Sequence, residues 1–290
     1  MFLKNEKAKK KLVPYKHKVT LILFIVLRLL VTLVMIRKAF MHEWESVFYC
    51  VLTQFLLLLP SIASSVLKIT LPSVLEAIIL VFIFAAEILG ELNSFYVRIP
   101  HWDTMLHTIN GFCCAAIGFA LVDILNRHKR FSVKLSPLYL AFAAFCFSMT
   151  VGVVWEIFEY SADFFFASDM QKDTIIHSIS STMLDETHSN IARQVQDIAD
   201  VIIVHSDGTQ ESLGLGGYLD VGIHDTMKDL IVNLIGATVF SVIGYFYAKK
   251  GGKGKFAGAF IPQVEDESGQ SDSEDEWKQE ETVIEIPNKK

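Results

Sequence analysis

Charge is scarce in this sequence. Only 20% of its 290 residues are Asp, Glu, Lys or Arg, against a 52% hydrophobic fraction and a mean hydropathy of +0.40. That balance excludes an ordinary soluble domain, and no nucleic-acid partner is expected. Cysteine is scarce too. Cys50, Cys113, Cys114 and Cys146 all fall inside apolar blocks, which excludes a disulfide framework and makes them small buried hydrophobes. No small-residue cleavage site follows the basic start, so the first apolar run reads as an anchor that stays. The HExxH zinc-protease pattern is missing. Leu213-Gly214-Leu215-Gly216-Gly217 lacks the preceding strand of a dinucleotide fingerprint and reads as a flexible re-entry. No internal repeat is visible.

Long apolar runs are what the chain does have. A hydrocarbon core of about 30 Å takes roughly 20 residues of helix, and six blocks suffice: 18–36, 46–67, 72–92, 102–124, 137–163 and 226–248. The expected fold is an all-α, polytopic membrane bundle of six transmembrane helices. Lysine and arginine set its orientation. The start carries Lys4, Lys7, Lys9, Lys10, Lys11, Lys16 and Lys18, the loop after span four carries Arg127, Lys129, Arg130 and Lys134, and span six exits at Lys249, Lys250, Lys253 and Lys255. Both termini are therefore expected in the cytoplasm, with the lipid bilayer as the protein's first partner.

Three parts follow: a basic N-terminus (1–17), a six-span domain (18–250) with an outward segment (164–224), and an acidic, disordered tail (251–290). From Glu265 to Lys290 there are ten acids and three lysines, so the overall charge of −6 hides a chain otherwise near neutral. The tail is a solvated extension, or a docking arm for a cytoplasmic partner. In the outward segment, Ile175, Ile179 and Met183, then Ile191, Val195, Ile198 and Ile202, recur at helical spacing. They predict one or two amphipathic helices. His205-Ser206-Asp207-Gly208-Thr209 predicts a turn.

Orientation then places the intramembrane polar residues by depth. Glu87 and Glu91 end span three. Asp103, His107 and Asn110 begin span four, and Glu156, Glu159 and Asp163 end span five. Asp225, Asp229 and Asn233 begin span six, with Lys228 beside them. Offsets of three, four and seven make each set one helical stripe. All four stripes fall in the outer half of the membrane, where a charge costs about 2.5–3.5 kcal/mol to insert and faces a bundle interior or a water-filled cavity. One shared outward pocket is the inference. Its acids outnumber the nearby cations Lys228 and Arg98, so protonation, solvation or a bound cation must compensate them. Clustered carboxylates with a histidine suit a divalent metal, with Asp103, His107, Glu156 and Asp229 as candidate ligands and Glu159 or Asp225 as candidate general base.

Plainer roles compete for the same residues. Asp103 and His107 could make only an interhelical hydrogen bond, and Gly111, Gly118, Gly152 and Gly236 read as close helix packing. Trp102, Trp155, Tyr96 and Tyr160 read as an interfacial aromatic belt. Arg28, in mid-span, predicts an ion pair with Glu76 or Glu87, with an anionic head group as the alternative partner.

The segments from Trp102 to Phe112, from Trp155 to Tyr160 and from Asp225 to Ala237 resemble the YjdF family of bacterial multi-pass membrane proteins. The resemblance covers spans three to six. More distantly, the DxxxH opening span four and the DTxxDxxxNxxGA of span six resemble VanZ-like proteins, which implies a cell-envelope setting linked to glycopeptide resistance. Neither resemblance implies a reaction. The basic and PSGH motifs of phosphatidic-acid phosphatases are absent. Three functions stay open: a metal-dependent hydrolase or transferase on lipid-linked head groups, a non-catalytic protein binding an envelope lipid or antibiotic, and a cation- or proton-coupled transporter.

Overall fold

The computed structural model describes residues 18–67, 69–127, 135–252 and 254–264. The basic N-terminus and the tail beyond 264 lie outside these. Six helices are long and apolar enough to cross a membrane: Lys18–Phe40, Trp44–Val66, Ser73–Leu92, Trp102–Asp123, Pro137–Phe166 and Ile223–Lys249. In chain order the elements are α1 (Lys18–Phe40), α2 (Trp44–Leu56), α3 (Leu59–Leu67), β1 (Ile69–Thr70), α4 (Ser73–Phe84), a π-helical stretch (Ala85–Leu92), α5 (Phe95–Arg98), α6 (Trp102–Arg127) and α7 (Pro137–Phe166). Short strands β2 (Ile175–Ile176), β3 (Ile179–Ser181), β4 (Arg193–Val195), β5 (Ile202–Val204), β6 (Gln210–Ser212) and β7 (Tyr218–Leu219) follow. Then come α8 (Ile223–Lys249), α9 (Lys255–Gly258) and β8 (Gln263–Val264).

Proline explains the break in the second span. Pro60 has no N–H, and its ring would meet the carbonyl of residue 56, so the α-helix stops at Leu56 and restarts at Leu59. The chain divides into two compact units. One joins the residues up to Met149 with those from Asn233 onward, and the other is Thr150–Val232.

The first unit has two apolar cores. Phe24, Leu27 and Val31 of α1 pack with Cys50, Leu57, Leu80 and Ile83. The second core gathers Leu75, Ala115, Ala116, Phe119, Ala144, Ala237 and Phe240. Alanines at 115, 116 and 120 let α6 come close to its neighbours, as small residues do where lipid supplies no hydrophobic drive. Leu29 and Leu33 of α1 stay 59% and 63% exposed, a surface that only a bilayer would cover comfortably. No disulfide joins the four cysteines, and Cys50 and Cys113 are buried.

Two findings in this unit differ from the sequence reading. Arg28 makes no ion pair with Glu76 or Glu87. Its Nε donates to Gln54 Oε1 at 2.7 Å, while Glu76 bonds with Thr20. The expected pairing counted charges and ignored a neutral amide one helix away. Second, the chain beyond residue 250 does not leave the protein at once. Ala257 and Ile261 are buried in the second core, Phe260 meets the Phe112 ring edge-on at 5.1 Å, and β8 pairs antiparallel with β1. Part of the tail expected from 251 is thus packed, because Ala257, Phe260 and Ile261 add apolar surface to the second core.

The second unit corrects the amphipathic helices expected between Asp173 and Val204. The described residues there form antiparallel pairs instead: β2 with β7, β3 with β4, and β5 with β6. Two physical reasons combine. Ile175-Ile176 and Val201-Ile202-Ile203-Val204 are β-branched runs that fit a pleated strand. The intervening Asp, Ser and Thr side chains bond to nearby backbone and compete with helix. Asp185 accepts from the amides of Thr187, Ser189 and Ile191, and Asp207 from Thr209 N within the β5–β6 turn. That turn is the predicted His205–Thr209 stretch, closed by His205 N to Thr209 O at 2.8 Å with Gly208 at φ +85°.

These aspartates make the segment acid-sensitive. Hydroxyl bonds from Thr187, Ser212 and Thr209 hold Asp185, Asp200 and Asp207 below the ordinary carboxylate range. Burial pushes Asp220 up, but bonds from Thr174 N, His224 N and the His224 ring outweigh it and leave the net shift downward. Asp173 goes the other way, raised by burial and by the charges of Asp169 and Asp220. Depressed groups add stability above their unfolded value of about 3.9, and that stability is lost as pH falls through the folded value. Below about pH 4, hydrogen exchange and proteolysis within 164–224 are expected to rise while the far-ultraviolet helical signal persists.

Candidate functional site

α6 carries Asp103, His107, Asn110 and Gly111 along one side because these positions repeat at three and four residues. His107 is buried, and its Nε2 stands 3.4 Å from Asp103 Oδ1. Asn110 Oδ1 accepts from the Cys114 thiol, also at 3.4 Å. One turn further along, α6 meets α7 and α8. Ser148 Oγ donates to Gly111 O at 2.7 Å. A Cβ on Gly111 would sit 2.3 Å from Asn233 O, and one on Gly236 would sit 2.1 Å from Thr108 O. Glycine is required at both places because two helix backbones touch there.

Asn233 closes this junction. It is 1% exposed, and its Nδ2 makes only long contacts to Ser148 O at 3.4 Å and Met149 Sδ at 3.5 Å. Its Oδ1 is buried without a hydrogen-bond partner among the described residues. Such an acceptor costs about 1–3 kcal/mol when left unsatisfied. Glu87, half-buried on the π-helical stretch, makes no hydrogen bond or ion pair among the described residues, so it does not join the Asp103–His107 pair. Glu91, on the same stretch, is exposed. A cavity of about 210 Å³ lies at the other end of this unit, lined by Phe119, Asp123, Tyr247 and Gly251, and shares no residue with the polar stripes.

In the second unit Glu156, Glu159, Asp225 and Asp229 are all buried. Trp155 Nε1 donates to Glu159 Oε1 at 2.8 Å, so the tryptophan assigned to the aromatic belt also orients an acid. Lys228 Nζ lies 2.8 Å from Asp225 Oδ1 and 3.8 Å from Asp229 Oδ1. Asp225 also accepts from Lys172 N at 3.0 Å. Asp163 is taken up by the chain that follows it, accepting from Met170 N at 2.6 Å, Gln171 N at 2.8 Å and Ser168 Oγ at 2.9 Å. Gly222 holds the entry to α8 at φ +79°, where a Cβ would meet Gln171.

Sequence reasoning missed Ser148 and Met149, which sit in an apolar run and bear no charge. It also missed the structural work of Asp220, whose pattern of Asp followed by Gly two residues on was the available signal.

Over 81 residues the chain is 31% identical to a Thermotoga maritima protein described as an uncharacterized protein, a match covering 28% of this chain and 40% of that one. The chain thus spans less than half of that relative's length. No solved structure matches. A sequence model described as "Predicted membrane protein (DUF2238)" matches residues 19–250, and the chain belongs to that family of membrane proteins.

Proposed function

We propose that this is a multi-pass protein of the bacterial cytoplasmic membrane, both termini cytoplasmic, that holds a divalent cation near the outer surface and acts as a hydrolase or transferase on a lipid-linked head group. The observation that carries the reading is the buried Oδ1 of Asn233, an amide oxygen of the kind hard cations bind, with no partner among the described residues. Along α6, His107 and Asp103 lie four and eight residues before Gly111 on the same face. The 3.4 Å between Asp103 Oδ1 and His107 Nε2 is long for a hydrogen bond, yet close to the roughly 3 Å that separates adjacent ligands of one cation.

Asp103, His107 and Asp229 are the assigned ligands, with Glu156 as the fourth candidate. A cation there would polarise a head-group oxygen and acidify a water. Asp225 is committed to Lys228 and the Lys172 amide, so Glu159, oriented by Trp155, is the general base. The likeness to YjdF and VanZ-like proteins supports an envelope setting for the substrate.

Metal analysis of the purified protein is the test. About one divalent ion per chain is expected, lost in Asp103→Ala and His107→Ala, together with metal-dependent release of phosphate or alcohol from lipid-linked substrates. Absence of a retained metal, or turnover indifferent to it, sinks the reading. Lipid or antibiotic binding that survives both substitutions would point to the non-catalytic alternative.

A further inference from the structure

Arg28 is the one arginine in the middle of a described span, and its charge meets no carboxylate within ion-pair distance among the described residues. Its Cα lies ten residues from Lys18, about 15 Å into a core of about 30 Å. A charge held there without compensation is costly, and such residues mark a binding partner by default.

The surroundings say what kind of partner. Gln54 on α2 fixes the guanidinium. Its Nε2 donates to Arg28 O at 2.9 Å and to Thr32 Oγ1 at 3.0 Å, so its oxygen is the atom left to accept from Arg28 Nε at 2.7 Å. Thr32 completes the lock by donating to Arg28 O at 2.8 Å. Only one of the five guanidinium N–H donors is used in this way. The two terminal nitrogens, the fork that grips phosphate in paired hydrogen bonds, find no acceptor among the described residues. The side chain runs back along α1, placing its terminal carbon 5.4 Å from the Phe24 ring centre, one turn nearer the Lys18 end. Phe24 contributes a cation–π contact but cannot accept the fork's hydrogen bonds. Ile25 and Leu29, on either side of Arg28, are 47% and 59% exposed, so the flank beside the guanidinium opens on the bilayer rather than on a buried core.

We propose that Arg28, held by Gln54 and Thr32 at the α1–α2 seam, binds the phosphate of an anionic lipid drawn in from the leaflet at the Lys18 end of α1. The ligand is a lipid and not free phosphate because its route runs past lipid-facing Ile25 and Leu29. The side chain reaches back to on the order of 10 Å from that end, within range of a head group when the bilayer thins locally. This site is separate from the cation site on α6 and α8 and stands without it.

The test is thermal unfolding of the full chain in phosphatidylcholine nanodiscs, with and without phosphatidylglycerol, and in phosphatidylcholine with inorganic phosphate. Phosphatidylglycerol is expected to raise the Tm of the wild type by several degrees, and inorganic phosphate to leave it unchanged. Arg28→Gln should abolish the rise, and Arg28→Lys, a point charge without the fork, should keep only part of it. An equal rise in Arg28→Gln, no rise in the wild type, or a rise with inorganic phosphate overturns the proposal. So does an Arg28-dependent dimer that accounts for the stabilisation. Should Arg28→Gln fail to accumulate, a photoactivatable phosphatidylglycerol on the wild type decides. Label within 18–40 and 44–66 supports the site, and label confined to other spans overturns it.

Discussion

Gly236→Ala is expected to leave little folded protein in the membrane fraction. Two effects oppose each other. Alanine is the better helix former by about 1 kcal/mol. Against that, its Cβ would lie 2.1 Å from Thr108 O and 2.9 Å from Phe112 N, both backbone atoms that no rotamer change can move aside. Overpacking typically costs about 1–3 kcal/mol, and a clash with rigid backbone belongs at or above the top of that range, so the clash wins. Gly111→Ala, whose Cβ would meet Asn233 O at 2.3 Å, should behave alike. Gly258→Ala is the control, since nothing lies within 4 Å of a Cβ there and the change should be neutral or slightly stabilising. Fluorescence-detected size exclusion of the three variants separates these outcomes. Normal yields of Gly236→Ala would mean that α6 and α8 are not in backbone contact.

Asn233→Leu should raise stability and weaken metal binding in the same protein. Leucine fills a similar volume without an acceptor to satisfy, so the metal-free variant gains back up to the about 1–3 kcal/mol that a buried orphan oxygen costs. Loss of an oxygen ligand or its close support should lower cation affinity by about 10–100-fold. The two signs together identify a site that holds strain until its cation arrives. A variant that is more stable but binds metal as before would make Asn233 a packing residue. One that is less stable would mean that the oxygen already has a partner. Isothermal titration with Mn²⁺ or Zn²⁺ beside thermal unfolding reads both.

The spans and the polar stripes were legible because they rest on strong, long-range regularities: twenty apolar residues per crossing, and ionisable residues repeated at three, four and seven. What was not legible turned on short-range competition or on uncharged partners. The isoleucines between 175 and 202 recur at intervals that suit a helix, yet the β-branched pairs beside them and the Asp-Gly turn after them decide for strands. Arg28 was matched with acids because charge stands out in a sequence, whereas Gln54 does not. Asp163 looked like the last member of the α7 stripe. The periodicity was real, but the loop that follows brings three donors to its carboxylate. The depth of the junction at Asn233 depended on Gly111, Ser148 and Gly236, residues too ordinary to announce a contact.

The pairing of β1 with β8 bears on how the protein is made. Ile69 and Val264 are separated by most of the chain, and the second core is incomplete without Ala257 and Ile261. The early helices must therefore wait in the membrane, with the seat of α9 still open, until synthesis has passed Val264. Closure of the core is a late, long-range step of the kind that sets folding speed. A ribosome stalled after α8 would display all six spans and still present an unfinished core to quality control.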